Sequence, residues 1–344
     1  MRRALGALAL VVLLSGIAHA AEDGVPGAAW EHVAPTAAGW SEAGLAEARD
    51  WSERMRTSAL LIVQHGRIVA DWGDTAARFE LASVRKSFLS ALIGIAVAEK
   101  TIDLDSTMGA LGIDDNAPGL SQTEKGATVR MLLEARSGIY HPALYETPGM
   151  AKARPRRYSH APGTFWYYNN WDFNALGTIY EHATGRGIYE ALADLIARPI
   201  GMQDYRPEDG HYVSGPDSIH RAYPLRMSAR DLARFALLYL HEGRWGGRQL
   251  VPAAWVREST RAYSTTDYGS GYGYLWWIAR PGIVPAGTYF AAGYGGQYAF
   301  VVPADDLVIV RLEDRDAHLP EPRRGDLAQL MRLILKAGGL APQP

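Results

Sequence analysis

The chain contains no cysteine among its 344 residues. This absence excludes disulfide bonds, thiolate metal sites and a cysteine nucleophile, so covalent catalysis would fall to serine, threonine, lysine, tyrosine or a carboxylate. An excess of charge of one sign is also missing, because 35 lysines and arginines face 37 aspartates and glutamates. A formal net charge of −2 provides no basic field to hold nucleic acid or an anionic membrane.

Several catalytic and architectural motifs are absent as well. The ten histidines show no His-Glu-x-x-His or similar ligand spacing, so we predict no metal site, and no motif calls for a cofactor. No Gly-x-Ser-x-Gly elbow is present, which argues against an α/β-hydrolase. No period of 20 to 50 residues recurs, which disfavours solenoids and propellers. With 48% hydrophobic and 21% charged residues, the composition is typical of a globular protein.

The N-terminus has the pattern of a secretory signal peptide over residues 1–20. Two arginines precede an apolar run over residues 4–17, and Ala18-His19-Ala20 forms a small-x-small cleavage site. The run is shorter than the ~20 residues that a membrane-spanning helix needs. We therefore expect export to the periplasm or the medium, no membrane anchor after signal removal, and a single mature domain over residues 21–344.

Hydrophobic periodicity predicts an α+β fold. An amphipathic helix should follow Ser41 as its N-cap, and apolar runs over 59–63 and 68–72 flank a hairpin turn. Further helices are expected over 88–99, 128–135, 174–184, 189–196, 229–242 and 324–335, and strands over 272–278, 289–292, 298–302 and 307–312. Strands at both chain ends predict one antiparallel sheet with flanking terminal helices. The sheet lobe should comprise 40–80 plus 265–340, the inserted, mainly helical lobe 81–264, and a cleft should separate them.

A Ser-x-x-Lys sequence, Ser83 to Lys86, lies where an extended segment should enter a helix. A spacing of three places both side chains on one helix face. Serine needs a base to become a nucleophile, and a buried lysine with a depressed pKa can be that base. The alternative interpretation is a helix N-cap followed by a solvated lysine.

Two further segments complete the candidate site. Residues 167–170 read Tyr-Tyr-Asn-Asn, so Tyr-x-Asn occurs in two registers, and it can supply a phenolic proton shuttle and a substrate-orienting amide. The alternative interpretation is that the tyrosine and the asparagine are turn residues packed on tryptophan. Residues 292–297 read Ala-Gly-Tyr-Gly-Gly-Gln, where positions without side chains let a substrate lie against the backbone.

In this order, the three segments resemble the serine β-lactamase and penicillin-binding-protein superfamily. The resemblance covers residues 40–335 and is greatest to the class C-like esterase and amidohydrolase branch, which includes nylon-oligomer hydrolases and D-aminopeptidases. Supporting signatures are Leu-Leu-Glu-Ala-Arg-Ser-Gly-Ile over 132–139, Pro-Gly-Thr over 162–164, and Val-Val-Pro over 301–303. The resemblance implies a β-lactamase/transpeptidase-like fold.

The resemblance also implies roles for individual residues. Ser83 would be the acylated nucleophile, Lys86 its base or proton relay, and Tyr168, selected over Tyr167 by its spacing from Pro-Gly-Thr, the proton shuttle to the leaving group. Asn170 would orient substrate and lysine. The backbone N–H groups of Ser83 and Gln297 would form the oxyanion hole. Tyr294, Gly295 and Gly296 would lie along the substrate.

One departure concerns substrate choice. Tyr294-Gly295-Gly296 stands where many penicillin-recognising members have Lys-Thr-Gly, which disfavours β-lactams. A basic group comprising Lys152, Arg154, Arg156, Arg157 and His160 precedes Tyr168 and would either receive an acidic substrate group or form a solvated loop. Specificity is expected from the loops over 140–160 and 205–223.

The leading hypothesis is an exported, cofactor-free serine hydrolase that cleaves a small ester, amide or peptide. A D,D-peptidase or weak β-lactamase, and a catalytically silent ligand-binding protein of the same fold, are the alternatives.

Overall fold

The computed structural model describes residues 24–267, 269–280, 282–317 and 323–340. The predicted signal peptide, residues 1–20, lies outside these ranges. The helices are α1 Glu42–Arg54, α2 Arg85–Ala98, α3 Val129–Leu133, α4 Pro148–Ala153, α5 Asn170–Thr184, α6 Ile188–Leu192, α7 Ala229–Leu240, α8 Ala253–Ser259 and α9 Arg324–Ala337. None of the helices in the described part of the chain has the length and apolar character needed to span a bilayer.

The strands have between two and seven residues. They are β1 Ala59–Gln64, β2 Arg67–Gly73, β3 Phe79–Glu80, β4 Val213–Gly215, β5 Ser218–Ala222, β6 Arg226–Met227, β7 Arg244–Trp245, β8 Arg248–Gln249, β9 Ser264–Thr265, β10 Gly271–Tyr272, β11 Trp277–Ile278, β12 Tyr289–Gly293, β13 Gln297–Val302 and β14 Leu307–Leu312. In the described part of the chain, the main sheet has eight antiparallel strands in the order β2-β1-β14-β13-β12-β11-β10-β9, and three two-stranded sheets lie outside it.

The two ends of the chain meet inside this sheet. Strand β1 pairs along its whole length with β14, from Ala59 opposite Leu312 to Gln64 opposite Leu307. All six residues of β1 are buried, because both faces of the sheet are covered. Such a strand reads as a continuous apolar run rather than an alternating one. The predicted α+β fold, with a sheet assembled from both ends, is confirmed.

Helices cover both faces of the sheet. On the outer face α1 packs against α9, and Leu60 and Ile62 of β1 join their apolar cluster. Leu61 and Val63 point to the opposite face, into the core shared with the helical segment. Helix α7 belongs to that segment in sequence yet packs directly on β13 and β14. The helical segment is therefore bound tightly to the sheet.

Local signals placed the first elements correctly. Ser41 caps α1 by accepting a hydrogen bond from the Gly44 N–H at 3.1 Å. The β1–β2 turn has positive φ at both His65 and Gly66, the geometry that closes a two-residue hairpin.

The prediction of one strand over residues 272–278 is wrong. The segment is a hairpin, β10 and β11, closed by a hydrogen bond from Gly273 N–H to the Trp276 carbonyl at 2.8 Å. A Cβ at Gly273 would lie 2.2 Å from the Ser259 carbonyl oxygen, so this close approach requires glycine. The Leu275 carbonyl accepts a hydrogen bond from the Ser87 hydroxyl, which anchors the turn beside α2.

Candidate active site

The candidate nucleophile lies in a single 3₁₀ turn, Ala82–Val84, immediately before α2. Ala82 has a φ of 48°, which is uncommon for a residue with a side chain. Helix α2 is buried along almost its whole length, so core packing fixes the position of the turn. The helix has no side-chain N-cap hydrogen bond, and the alternative interpretation of Ser83 as an N-cap is wrong.

Lys86 lies at the centre of the site and is only 2% exposed. Its Nζ lies 3.0 Å from Ser83 Oγ, 2.6 Å from Tyr168 Oη and 2.8 Å from Asn170 Oδ1. The alternative of a solvated lysine is therefore also wrong. The structure brings four of the predicted site residues into one hydrogen-bonded group.

Burial lowers the pKa of Lys86 well below its usual value, the positive charge of Arg85 lowers it further, and Glu146 partly opposes the shift. The rings of Tyr168 and Phe173 lie 4.2 and 4.3 Å from Nζ and favour the ammonium form by about 0.5–2 kcal/mol each. The loss of hydration on burial is the largest cause of the lowered pKa, so it holds the amine toward its neutral form. A neutral amine can donate to Asn170 and Tyr168 and direct its lone pair at the Ser83 hydroxyl.

The two registers of Tyr-x-Asn are distinguished by their contacts. Tyr168 Oη reaches Lys86, whereas Tyr167 donates to the Met150 carbonyl at 2.9 Å, away from the lysine. Burial raises the pKa of Tyr168 to about 12, and a hydrogen bond with Ser83 and the charge of Arg85 act in the opposite direction. Tyr168 therefore holds its proton at neutral pH and can deliver it.

Asn169 caps a helix, whereas its neighbour Asn170 belongs to the site. Asn169 is the N-cap of α5 and accepts from the Trp171 N–H, so the helix starts at Asn170, four residues before its predicted start. Asn169 also donates to Asp172 at 2.9 Å, and Ser137 donates to the same carboxylate oxygen at 2.5 Å. Burial raises the pKa of Asp172 well above its usual value. This network fixes the helix start that carries Asn170.

Asn170 is held at both ends of its amide. While Oδ1 accepts from Lys86, Nδ2 donates to the Tyr145 carbonyl at 2.7 Å. Tyr145 itself has a φ of 63°. The amide orientation is therefore determined by its neighbours, with the oxygen toward the lysine.

The opposite wall of the site is the glycine turn, residues 293–297, which joins β12 to β13. A Cβ at Gly293 would lie 2.3 Å from the Leu81 carbonyl oxygen and 3.1 Å from the Ser83 nitrogen. The end of β12 thus lies directly against the nucleophile turn. Tyr294 is 50% exposed and lines the cleft, whereas Gln297 is fully buried and does not line it.

A buried ion pair holds the glycine turn in place. Arg311 donates to the Gly296 carbonyl at 2.6 Å and pairs with Glu313 at 2.7 Å. The Gln297 side chain donates to the Glu313 carbonyl and accepts from the Glu313 N–H. The sequence analysis does not predict this ion pair. An arginine in the otherwise apolar β14 is the feature that could have indicated a buried partner.

The cleft that Ser83 lines has a volume of about 750 Å³. Aromatic residues contribute a large part of its walls, among them Phe165, Trp166, Tyr167, Trp277 and Tyr294. Of the two loops expected to set specificity, 140–160 lines the cleft and 205–223 does not.

Charged groups of the cleft differ from those expected. None of the five basic residues of the group over 152–160 lines it. Arg154 pairs with Glu146, and Arg157 pairs with Glu124 and caps nearby carbonyls, so both have structural partners. The cation on the cleft wall is Arg315, which lies over the Tyr294 ring at 5.3 Å and pairs with Glu80. Arg315 follows β14 in a segment without a recognisable motif, so the sequence analysis does not identify it.

Curated relatives resemble the chain over different lengths. An uncharacterised protein of Alkalihalophilus pseudofirmus is 24% identical over 260 residues, covering 68% of this chain and 73% of that protein. A D-aminopeptidase of Brucella anthropi is 31% identical over 140 residues, covering 37% of this chain and 25% of the enzyme. The second match spans only a quarter of the relative's length.

A solved structure shares the fold. A Bacillus anthracis protein assigned as a 6-aminohexanoate-dimer hydrolase superposes with a TM-score of 0.66 at 21% identity, covering 86% of this chain and 83% of that one. The fold is therefore β-lactamase/transpeptidase-like. The sequence profile of the Beta-lactamase family matches residues 43–333. Because this match spans most of the chain and contains every residue of the site, the protein belongs to the beta-lactamase family of serine hydrolases.

Proposed function

We propose that this protein hydrolyses small esters or amides through an acyl-enzyme on Ser83, after export and without a cofactor. The observation that carries the proposal is the contact of one buried lysine amine with Ser83 Oγ, Tyr168 Oη and Asn170 Oδ1. A desolvated amine within hydrogen-bond reach of a serine hydroxyl is the arrangement that activates such a nucleophile.

In the acylation step, the Ser83 oxygen attacks the substrate carbonyl while its proton passes to Lys86. Asn170 keeps the amine oriented during this transfer. When the tetrahedral intermediate collapses, Tyr168 gives its proton to the leaving alcohol or amine and takes one back from the lysine ammonium. The step leaves an ester on Ser83 and returns both bases to their starting forms. Water then attacks the ester carbonyl while Lys86 and Tyr168 take its proton. The bond between the acyl carbon and Ser83 Oγ breaks, the proton is returned to Oγ, and the carboxylic acid product leaves.

The developing oxyanion requires backbone donors on the substrate side of the nucleophile. The first is the Ser83 N–H, which lies next to Gly293. We expect the second from the glycine turn, residues 293–297, whose Gly293 lies against the Ser83 nitrogen.

Acyl-enzyme formation can be measured with p-nitrophenyl acetate. Wild-type protein is expected to show a burst of p-nitrophenol and a mass increase of one acetyl group. Ser83→Ala should lose the adduct and lower turnover by roughly 10⁴-fold or more, because nothing replaces the nucleophile. A Ser83→Ala variant that hydrolyses the ester at the wild-type rate would refute the proposal.

The same mass measurement examines the D,D-peptidase and β-lactamase alternatives. Arg315 places a guanidinium beside Tyr294, on the wall where the expected lysine is missing. A stable penicilloyl adduct on Ser83 would favour those alternatives. Hydrolysis of penicillin without a lasting adduct would favour the β-lactamase alternative, whereas turnover of simple esters with neither a penicilloyl adduct nor penicillin hydrolysis supports the esterase and amidohydrolase assignment.

The two neighbouring tyrosines provide a matched pair of variants. Tyr168→Phe is expected to lower kcat for amide substrates by about 10²-fold, because the leaving amine loses its proton donor. Tyr167→Phe removes only a hydrogen bond to the Met150 carbonyl and should leave kcat within about threefold. Steady-state kinetics of both variants measure the difference, and equal losses would show that Tyr168 is not the shuttle.

A further inference from the structure

Arg85 lies between the two reactive residues in sequence and has no part in the mechanism above. It is the first residue of α2 and is only 2% exposed. A buried cation without a counter-ion is expensive to maintain, so proteins ordinarily pair it with a carboxylate. Within the described residues Arg85 forms no ion pair, and its Nε and Nη2 have no hydrogen-bond partner.

The groups in contact with Arg85 carry no net charge, so they stabilise the guanidinium without neutralising it. Its Nη1 donates to the Ala82 carbonyl at 2.9 Å. The guanidinium carbon lies 4.9 Å from the ring centre of Tyr145 and 5.1 Å from that of Tyr223. Aromatic faces attract a cation through their quadrupole but carry no net charge. The field of the guanidinium therefore extends to its neighbours in the dry interior.

The nearest ionisable neighbour along the chain is Lys86. It too forms no ion pair with the described residues, and both cations lie at the buried start of one helix. Like charges in a low-dielectric site cannot both be maintained easily, and arginine does not release its proton in proteins. The lysine is therefore the residue that gives up its charge.

The other groups that face Lys86 do not cancel this effect. Tyr168 and Asn170 approach from the start of α5 and are neutral at pH 7. Glu146 approaches from the loop before α4 and favours the ammonium form, but its carboxylate is paired with Arg154. Tyr145 and Tyr223 present their rings to Arg85, and burial raises the pKa of Tyr189 and of Tyr223 above its usual value, so neither of these two phenols supplies a negative charge at pH 7.

We propose that Arg85 is a positioning residue whose unneutralised charge holds Lys86 in its neutral, basic form. The proposal rests on the function proposed above, because it requires Lys86 to act as the base. Arg85 touches neither substrate nor the reacting atoms, and acts only through the lysine.

The experiment is the pH dependence of the acylation rate constant, measured by stopped-flow release of p-nitrophenol between pH 5 and 10. In Arg85→Met the acid limb is expected to move up by about one unit or more, so the rate at pH 6 falls about tenfold and recovers at high pH. Arg85→Gln should behave in the same way. It keeps a donor for the Ala82 carbonyl and replaces Arg85→Met if that variant fails to fold.

Arg234→Met is the matched control. Arg234 is also fully buried and forms no ion pair with the described residues, but it bonds the Ile200 and Gly27 carbonyls, away from the cleft. Its loss should lower stability without moving the acid limb. A uniform fall in rate at all pH values in the Arg85 variants, with the limb unmoved, would show a purely structural role and overturn the proposal.

A second measurement reads Lys86 directly. The chain has five lysines, so an NMR titration of ¹³C-lysine protein, assigned with Lys86→Arg, resolves each side chain. Lys86 should titrate below the other four, and about one unit or more higher in Arg85→Gln than in wild type. An unchanged Lys86 titration would refute the role of Arg85. Loss of activity in Ser83→Ala is independent of this readout, so the two proposals can fail separately.

Discussion

Lys86→Arg is expected to lower the acylation rate constant by about 10²- to 10⁴-fold, the usual contribution of a general base. The substitution keeps a cation in the site but removes the neutral form, because arginine stays protonated at any accessible pH. Raising the pH should therefore fail to restore the rate. Stopped-flow acylation with p-nitrophenyl acetate between pH 6 and 10 measures both expectations.

The matched control is Lys152→Arg. Lys152 is exposed on α4 and does not line the cleft, so its replacement should leave acylation unchanged. Thermal unfolding of both variants separates a chemical effect from a loss of folded protein. If the folded Lys86→Arg enzyme acylates at the wild-type rate, Lys86 is a structural residue and the base must be sought elsewhere.

Gly293→Ala is expected to have the second large effect. The added Cβ would lie 2.3 Å from the Leu81 carbonyl oxygen, closer than any real contact of that kind, so either β12 or the nucleophile turn must move. A displacement near 1 Å beside the reacting atoms lowers kcat/KM by about 10²-fold. Overpacking of this kind also destabilises a core by about 1–3 kcal/mol.

Gly126→Ala supplies the comparison for Gly293→Ala. Gly126 is exposed, a Cβ added there would have no atom within 4 Å, and the residue does not line the cleft. Its variant should keep wild-type kcat/KM and stability. Steady-state kinetics and thermal unfolding are measured for both variants. Wild-type activity in Gly293→Ala would contradict the close approach of β12 to Ser83.

Elements with strong local signals were predictable from the sequence. The bounds of β14 match the expected 307–312, because an apolar run interrupted only by Arg311 is flanked there by Asp306 and Glu313. Ser83, Lys86 and Asn170 were identified because their motifs are compact and their chemistry demands particular side chains. The structure then places Ser83 Oγ and Asn170 Oδ1 within hydrogen-bond distance of Lys86 Nζ.

Features that depend on distant parts of the chain were not predictable in this way. The β10–β11 hairpin forms because Tyr274 N–H and Leu275 N–H find the carbonyls of Ser259 and Leu133, while its aromatic sequence reads as one strand. Arg315 reaches the cleft wall only because β14 ends beside the glycine turn. Periodicity describes neighbours along one element and contains no information about such contacts.

The pairing of β1 with β14 determines how much of the chain must be synthesised before the candidate site is complete. A nascent chain that has emerged through residue 260 already carries Ser83, Lys86, Tyr168 and Asn170. It still lacks β12, whose Gly293 lies against Ser83, the hydrogen bond from Arg311 to the Gly296 carbonyl, and β14, which pairs with β1. Pairings between such distant segments form late, after the long intervening loop has closed. We therefore expect the site to be complete only after β14 has been synthesised, and a chain interrupted earlier to carry Ser83, Lys86, Tyr168 and Asn170 without the wall that faces them.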